Sequence, residues 1–277
     1  MQSIVITGAT AGIGRAAAIL LASKGHKVFA CGRDEAALSE LDAGHENITP
    51  ISMDVTDAQS VSDGALAVAE ALDGATPDVL VNNAGIAVVG PLEAVSMEEW
   101  ERQFQTNVLG LIRVTKAFVG PMRERRKGRI VNVSSVAGRV TLPFFGPYNS
   151  TKHAVESISD SLRHELRPHG VSVIVIEPGA VKTRFGSLEQ EQLDAHIDAH
   201  AAYADQLQIL KRFHHDLHGK GADPVTVAGA IVDACTKPDP TPRRVVPLLP
   251  GSLFIALKNT LPTRISDWII KQLTKLP

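Results

Sequence analysis

What this chain lacks already narrows what it can be. Cysteine is nearly missing: Cys31 and Cys235 form no spacing motif, so neither a disulfide framework nor a cysteine zinc site is expected, and a reducing, cytoplasmic compartment fits. Charge of one sign is lacking too. A net charge of -2 with 21% charged residues gives no electrostatic footprint for nucleic acid. No apolar run approaches the length that crosses a bilayer, and a first strand starting almost at the N-terminus leaves no room for a signal peptide. Internal repeats and dividing linkers are also missing, so the 277 residues are expected to form one large α/β domain.

What is present is a regular alternation of short, β-rich apolar runs with helical stretches, the pattern of a parallel sheet covered on both faces. Strands are expected at Ile4–Thr7, Lys27–Cys31, Thr49–Met53, Asp78–Val81, Arg129–Val133, Val171–Ile176 and Arg244–Leu248. The first runs directly into Gly8-Ala9-Thr10-Ala11-Gly12-Ile13-Gly14 and then the helical Arg15–Leu21. Glycines at such a turn let the backbone approach a pyrophosphate, whose charge is held at the helix N-terminus. The spacing Gly-x-x-x-Gly-x-Gly is not the common Gly-x-Gly-x-x-Gly, and it is the strand before and the helix after that make it a nucleotide candidate.

A second constellation lies further along. Tyr148 and Lys152 stand at i and i+4, which share a helix face, and Ser135 lies thirteen positions upstream of the tyrosine. A nearby ammonium favours the phenolate, so Tyr148 is expected below its ordinary pKa of roughly 10. Alone, the pair would be an ordinary surface contact. Together, Thr7-Gly8-x-x-x-Gly12-Ile13-Gly14, Asn82-Asn83-Ala84-Gly85, Asn107, Ser135, Tyr148-x-x-x-Lys152 and Pro178-Gly179 follow the order and intervals of the short-chain dehydrogenase/reductase family. The chain resembles that family over about residues 1 to 185.

The resemblance implies a single doubly wound Rossmann domain and a hydride transfer between a nicotinamide and a secondary alcohol or ketone. It implies that Gly8, Thr10, Gly12, Ile13 and Gly14 hold the cofactor, with Asp54 and Val55 at the adenine and Asn83, Ala84 and Gly85 beside the ribose. Pro178 and Gly179 lead into the segment that holds the nicotinamide carboxamide, through the Val181 backbone and the Thr183 hydroxyl. Tyr148 is expected to pass the proton, and Ser135 to hydrogen-bond the same substrate oxygen. Lys152 is expected to tune Tyr148 and to bond the ribose, while Asn107 holds a relay water. For Asn107 the plainer reading is a mid-helix asparagine bonding its own backbone. Ser134 competes with Ser135, but the interval to Tyr148 selects Ser135. A homo-oligomer, dimer or tetramer, is the family's usual state.

The cofactor choice turns on the second strand's end, Cys31-Gly32-Arg33-Asp34. A carboxylate at the tip would bond the ribose hydroxyls of NAD, whereas an arginine forks onto a 2′-phosphate. Gly32 followed by Arg33 resembles the NADP-preferring branch, with NAD as the alternative. Asp34 is read as the N-cap of a helix from Glu35.

Beyond about residue 185 the motifs stop, and residues 186 to 277 are read as a substrate-covering segment and tail. Leu193, Ile197, Ala201, Ala204, Leu207 and Leu210 recur at helical spacing, fitting a helix over the substrate or plain core packing. His196 and His200 have metal-ligand spacing but no evident third partner, so no metal is expected and a solvated face is. The cluster Arg123–Lys127 is read as a solvated helix end. In the tail, Ile265, Trp268, Ile269, Leu273 and Leu276 line one face. Packing on this or a neighbouring subunit is the first reading of that face, ahead of a substrate lid and membrane contact. The long segment and apolar tail resemble the hydroxysteroid and retinol dehydrogenase branch, which implies a hydrophobic small-molecule substrate. A redox sensor or scaffold that binds cofactor without turnover is the alternative from another class.

Overall fold

The computed structural model describes residues 1–248 and 251–276; Pro277, the end of the tail reading, lies outside the described residues. Along the chain, β1 (Ser3–Thr7), α1 (Gly12–Ser23), β2 (Lys27–Gly32), α2 (Glu35–Gly44), β3 (Ile48–Ser52), α3 (Ala58–Glu70) and β4 (Val79–Asn82) form the first half. There follow α4 (Met97–Phe104), α5 (Leu111–Glu124), β5 (Gly128–Val133), α6 (Gly146–Leu166) and β6 (Val171–Pro178). The remainder is α7 (Arg184–Ala199), α8 (Ala204–Gly219), α9 (Pro224–Thr236), β7 (Arg243–Val246), α10 (Gly251–Thr260) and α11 (Thr263–Thr274). The expected strands are all present, displaced by a residue or two at their ends.

The strands make one sheet in the order β3-β2-β1-β4-β5-β6-β7, and every pairing is parallel. Alternate side chains feed two apolar layers, as pleating requires. On β1, Ile4 and Ile6 join Leu21 of α1 and Ile231 of α9, while Val5 between them joins Phe29, Val114 and Phe118 on the other face. Chain order reverses between β1 and β4, so the crevice at their carboxyl ends is where such a sheet takes a ligand.

Helix starts follow local chemistry. Asp34 caps α2 by accepting from the Ala37 N–H at 3.0 Å, as its sequence reading required. Ser96 and Glu99 form a reciprocal capping box on α4. Between α4 and α5 the helix widens into a π turn over Gln105–Gly110, which carries Asn107 inward. Widened turns of this kind are frequent at functional sites.

Two sequence readings need correction. The helical spacing after Glu189 is not one helix but the hairpin α7–α8, broken near the exposed Ala201; Leu193, Leu207 and Leu210 from its two arms meet Val89 and Phe145 in a third apolar cluster. His196 does not lie on a solvated face. It stacks on His200 and sits over Gly90, where a Cβ would come within 2.3 Å of His196 Nε2. The Arg123–Lys127 helix end is exposed, as its sequence reading expects, and Arg125 also donates to the carbonyls of Thr76, Pro77 and Lys127, and Arg126 to that of Pro168. The apolar face of α11 packs on this chain only in part, since Ile269 and, just beyond the helix, Leu276 are half-buried. Ile265, Trp268 and Leu273 stand 44%, 60% and 49% exposed, while Ser266 and Thr274 are the buried positions of that helix.

Candidate active site

The cleft is assembled from strand tips. After β1, Gly8 and Gly12 adopt φ of +65° and +53°, in the left-handed region open to glycine. A Cβ at Gly14 would lie 2.3 Å from Gly8 O and 2.4 Å from Asn83 Nδ2, so the turn closes only with hydrogen there. Asn83, after β4, donates through Nδ2 to Thr7 O and Gly8 O, and Thr7 Oγ1 accepts from the Asn83 and Ala84 N–H groups. Ala11 caps α1 without a side-chain bond and the first turn holds no acid, so the opening N–H groups of α1 are left for an anion. This cradle fits a dinucleotide pyrophosphate.

At the β2 tip, Arg33 Nη1 lies 3.4 Å from Asp54 Oδ2 at the β3 tip, with the arginine side chain 69% exposed. Burial raises the Asp54 carboxyl, but hydrogen bonds from Thr56 and the charge of Arg33 outweigh it and leave its pKa below the ordinary value. Gly32 is confined by Thr10: a Cβ there would meet the Thr10 methyl at 2.5 Å. Thr10 therefore shapes the β2 tip as well as the glycine turn. Val55 is buried beside Gly110, where a Cβ would approach Val55 Cγ2 to 2.8 Å.

The β5 and β6 tips complete the cleft. Ser135 Oγ donates to Pro178 O at 3.3 Å and accepts from Ala137 N–H, and its polarity beside the Tyr148 phenol favours the phenolate. The segment from Pro178 and Gly179 runs to Val181, which bridges Ala222, and to Thr183, whose methyl lies 3.4 Å from where a Gly12 Cβ would be. Ile13, in the first turn of α1, packs against the main core. Asn107 does not bond its own helix: Nδ2 donates to Ile86 O and Thr151 Oγ1, and Oδ1 accepts from Ile86 N–H. A Cβ at Gly85 would sit 3.3 Å from Asn107 Oδ1 and 3.8 Å from Lys152 Nζ, so the three residues adjoin.

Lys152 is fully enclosed, with Nζ donating to Val133 O at 2.9 Å and lying 5.8 Å from the Tyr148 ring centre. Burial lowers its pKa to about 8, against the opposing charge of Glu156. Tyr148 departs from expectation: its pKa is pushed up, first by burial, then by the Glu189 carboxylate, with the Ser135 hydroxyl opposing. Desolvation of the phenolate dominates, and the Glu189 carboxylate adds to it. The sequence reading missed Glu189, along with His214, which accompanies it at 2.9 Å. The signal available was the His214-x-x-x-His218 spacing in a histidine-rich stretch. It also missed the positioning roles of Thr7, read only as the start of the glycine motif, and of Thr151, which hold Asn83 and Asn107.

A parallel sheet with a dinucleotide cradle at its switch point, and a Ser-Tyr-Lys group beside it, defines a nicotinamide-dependent oxidoreductase. The short chain dehydrogenase family model matches residues 2–194, and the chain belongs to that family. The NADPH-dependent 3-dehydrocapnine reductase of Ornithobacterium rhinotracheale is 32% identical, covering 100% of this chain and 99% of the relative. The 3-ketodihydrosphingosine reductase of Bacteroides thetaiotaomicron is 31% identical, covering 98% and 97%. A short chain dehydrogenase/reductase from Burkholderia phymatum, solved in complex with NAD, is 29% identical with a TM-score of 0.78, covering 93% of this chain and 92% of that one. This protein is accordingly an oxidoreductase of CH–OH and C=O groups that uses a nicotinamide cofactor.

Proposed function

We propose that this enzyme is an NADPH-preferring ketone reductase acting on a hydrophobic small molecule. The observation that carries the reading is the meeting of Ser135, Tyr148 and Lys152 in one enclosed cleft, next to a cradle whose β2 tip presents Arg33 rather than a carboxylate. The cofactor supplies the hydride. Tyr148 gives the proton to the carbonyl oxygen, and Ser135 hydrogen-bonds that oxygen so that charge is stabilised where it develops. Lys152 bonds the nicotinamide ribose and, through a water held by Asn107, resupplies the proton. Gly8, Thr10, Gly12, Ile13 and Gly14 hold the pyrophosphate, and Asp54, Val55, Asn83, Ala84 and Gly85 line the adenosine side. Pro178, Gly179, Val181 and Thr183 hold the nicotinamide. Residues beyond about 185 cover the substrate, as supported by the Tyr148 ring lying 5.7 Å from Phe185 at the start of α7 and sharing the apolar cluster of the α7–α8 hairpin.

The printed names of two full-length relatives, both reductases of keto compounds, support the direction, and one of them names NADPH. The exposed stripe of Ile265, Trp268 and Leu273 supports a homo-oligomer that buries it. Among the described residues no helix is long and apolar enough to cross a membrane. The test is NADPH oxidation across a panel of ketones of increasing chain length, repeated with NADH. Specificity constants should rise with apolar length and favour NADPH; no ketone-dependent oxidation, or a preference for NADH, overturns the reading.

A further inference from the structure

We propose that Glu189, His214 and His218 form a binding site for a divalent transition metal of the zinc type, one that pins the α7–α8 hairpin to the loop after β6. His214 and His218 stand one helical turn apart on α8, so their rings point the same way, and Glu189 faces them from α7. Glu189 Oε2 lies 2.9 Å from His214 Nε2 and 3.6 Å from His218 Nε2, and one ligand atom from each residue falls within 4.8 Å of the others. Bonds of about 2.0 to 2.2 Å in a tetrahedral site hold ligand atoms about 3.3 Å apart, so an ion needs only small side-chain adjustments here. Two imidazoles and a carboxylate suit zinc better than magnesium or calcium, which favour oxygen alone.

The hydrogen-bonding pattern points the same way. His218 Nδ1 lies 3.3 Å from Val181 O, which can only accept, so that nitrogen carries the proton. In the neutral ring the lone pair then sits on Nε2 and faces the Glu189 carboxylate. Two acceptors confront each other in an enclosed place, and a cation between them satisfies both. The Val181 contact is the outer partner that metal-bound histidines commonly have. His214 Nδ1 is buried and has no hydrogen-bond partner among the described residues, so this ring lacks the outer partner that His218 has. Entry is available, because His218 also lines a cavity of about 150 Å³ shared with Thr183 and Gly186. His196 and His200, by contrast, stack on each other with no third ligand brought to them among the described residues.

The test uses the full chain stripped of metal and titrated with zinc chloride against a chromogenic zinc chelator. A single tight equivalent is expected, and cobalt substitution should give the visible bands of a four-coordinate ion. His214→Gln should weaken zinc by more than about tenfold, the low end of the loss that even an outer partner causes. His218→Gln, at the cavity edge, should do the same with less risk to folding, which thermal melts of both variants would check. His200→Gln should leave the affinity unchanged. Absence of a stoichiometric zinc equivalent, or equal affinity in the parent and both ligand variants, would overturn the site.

Discussion

The cofactor cradle and the covering hairpin are built in opposite ways. Around the glycine turn the contacts are backbone against backbone: a Cβ at Gly8 would lie 2.8 Å from Ala84 Cα, and one at Gly14 closer still to Gly8 O. Around α7 and α8 the contacts are apolar side chains, with Leu193, Leu207 and Leu210 filling a cluster against Val89 and Phe145. Close backbone approach tolerates few residue types, whereas apolar packing accepts many combinations of similar volume. Chemistry against the cofactor is therefore rigidly specified, and the surface that meets substrate is free to vary. Tyr148 belongs to both regions, since it joins Lys152 on α6 and also packs in the hairpin cluster.

Substitution at that junction should have the largest effect. Tyr148→Phe should abolish ketone reduction while NADPH titration shows near-parental affinity. Ser135→Ala should retain the phenol yet cost about 2.7 to 4 kcal/mol of transition-state stabilisation, as removal of one oxyanion donor does. A Tyr148→Phe enzyme with near-normal turnover would mean that the proton comes from elsewhere.

Next comes the cradle itself. Gly14→Ala places a methyl within 2.3 Å of Gly8 O, where only backbone can yield. Cofactor binding should collapse and the melting temperature should fall, with both readouts moving together. If the variant binds NADPH normally, the close approach described between the turn and β4 is wrong.

At the rim of the cradle the effect should be smaller and selective. Arg33→Ala removes a hydrogen bond to the 2′-phosphate worth about 1.5 to 3 kcal/mol, so NADPH should weaken by roughly tenfold to a hundredfold with NADH almost unchanged. The exposed arginine should matter less as salt rises. Converting the tip to Gly32→Asp is obstructed by the Thr10 methyl, so the switch towards NADH should require Thr10→Gly as well. A parent enzyme that favours NADH would assign the ribose to a carboxylate instead; Asp34 is engaged in capping α2.

The contrast between the two regions also explains what the sequence made legible. The glycine turn and the Tyr148–Lys152 helix face follow from steric and helical geometry, whereas Asn83 and the interval from Ser135 to Tyr148 are legible only through the family resemblance. The tilt of α7 against α8, the burial of Glu189 and the rise of the Tyr148 pKa depend on three-dimensional desolvation, which no spacing in the chain records. Periodicity continued through Ala201 because both arms of the hairpin bury the same kind of face, so the break was invisible. The tail stripe leaves its partner open for a related reason: an apolar helical face declares that it seeks a partner, not whether that partner is its own chain or a neighbouring subunit.

On the covering side, Phe185→Ala should spare cofactor affinity and act on the ketone alone. The Phe185 ring packs on Tyr148 at 5.7 Å, where the ketone would meet it, so KM for an apolar ketone should rise severalfold, up to about tenfold if a fraction of a buried Phe side chain's worth is lost. An equal loss of NADPH affinity would show that the two regions are not separable.

The smallest effect should come from Glu156, on the far side of Lys152 from the tyrosine. Burial holds Lys152 at about 8 and Glu156 opposes that fall, while Glu156 is itself tied to Arg243 at 2.8 Å. Below pH 8 the lysine is charged and can resupply the proton; above it the charge is lost. The specificity constant for ketone reduction should therefore decline as pH rises through about 8, with alcohol oxidation following the opposite course. Glu156→Gln removes the carboxylate that favours the ammonium, so the decline should begin at lower pH. A merely structural role for Glu156 would lower activity evenly at every pH and leave the midpoint where it was. Paired pH profiles of parent and variant decide between these, and an unmoved midpoint would disconnect Glu156 from the proton on Lys152.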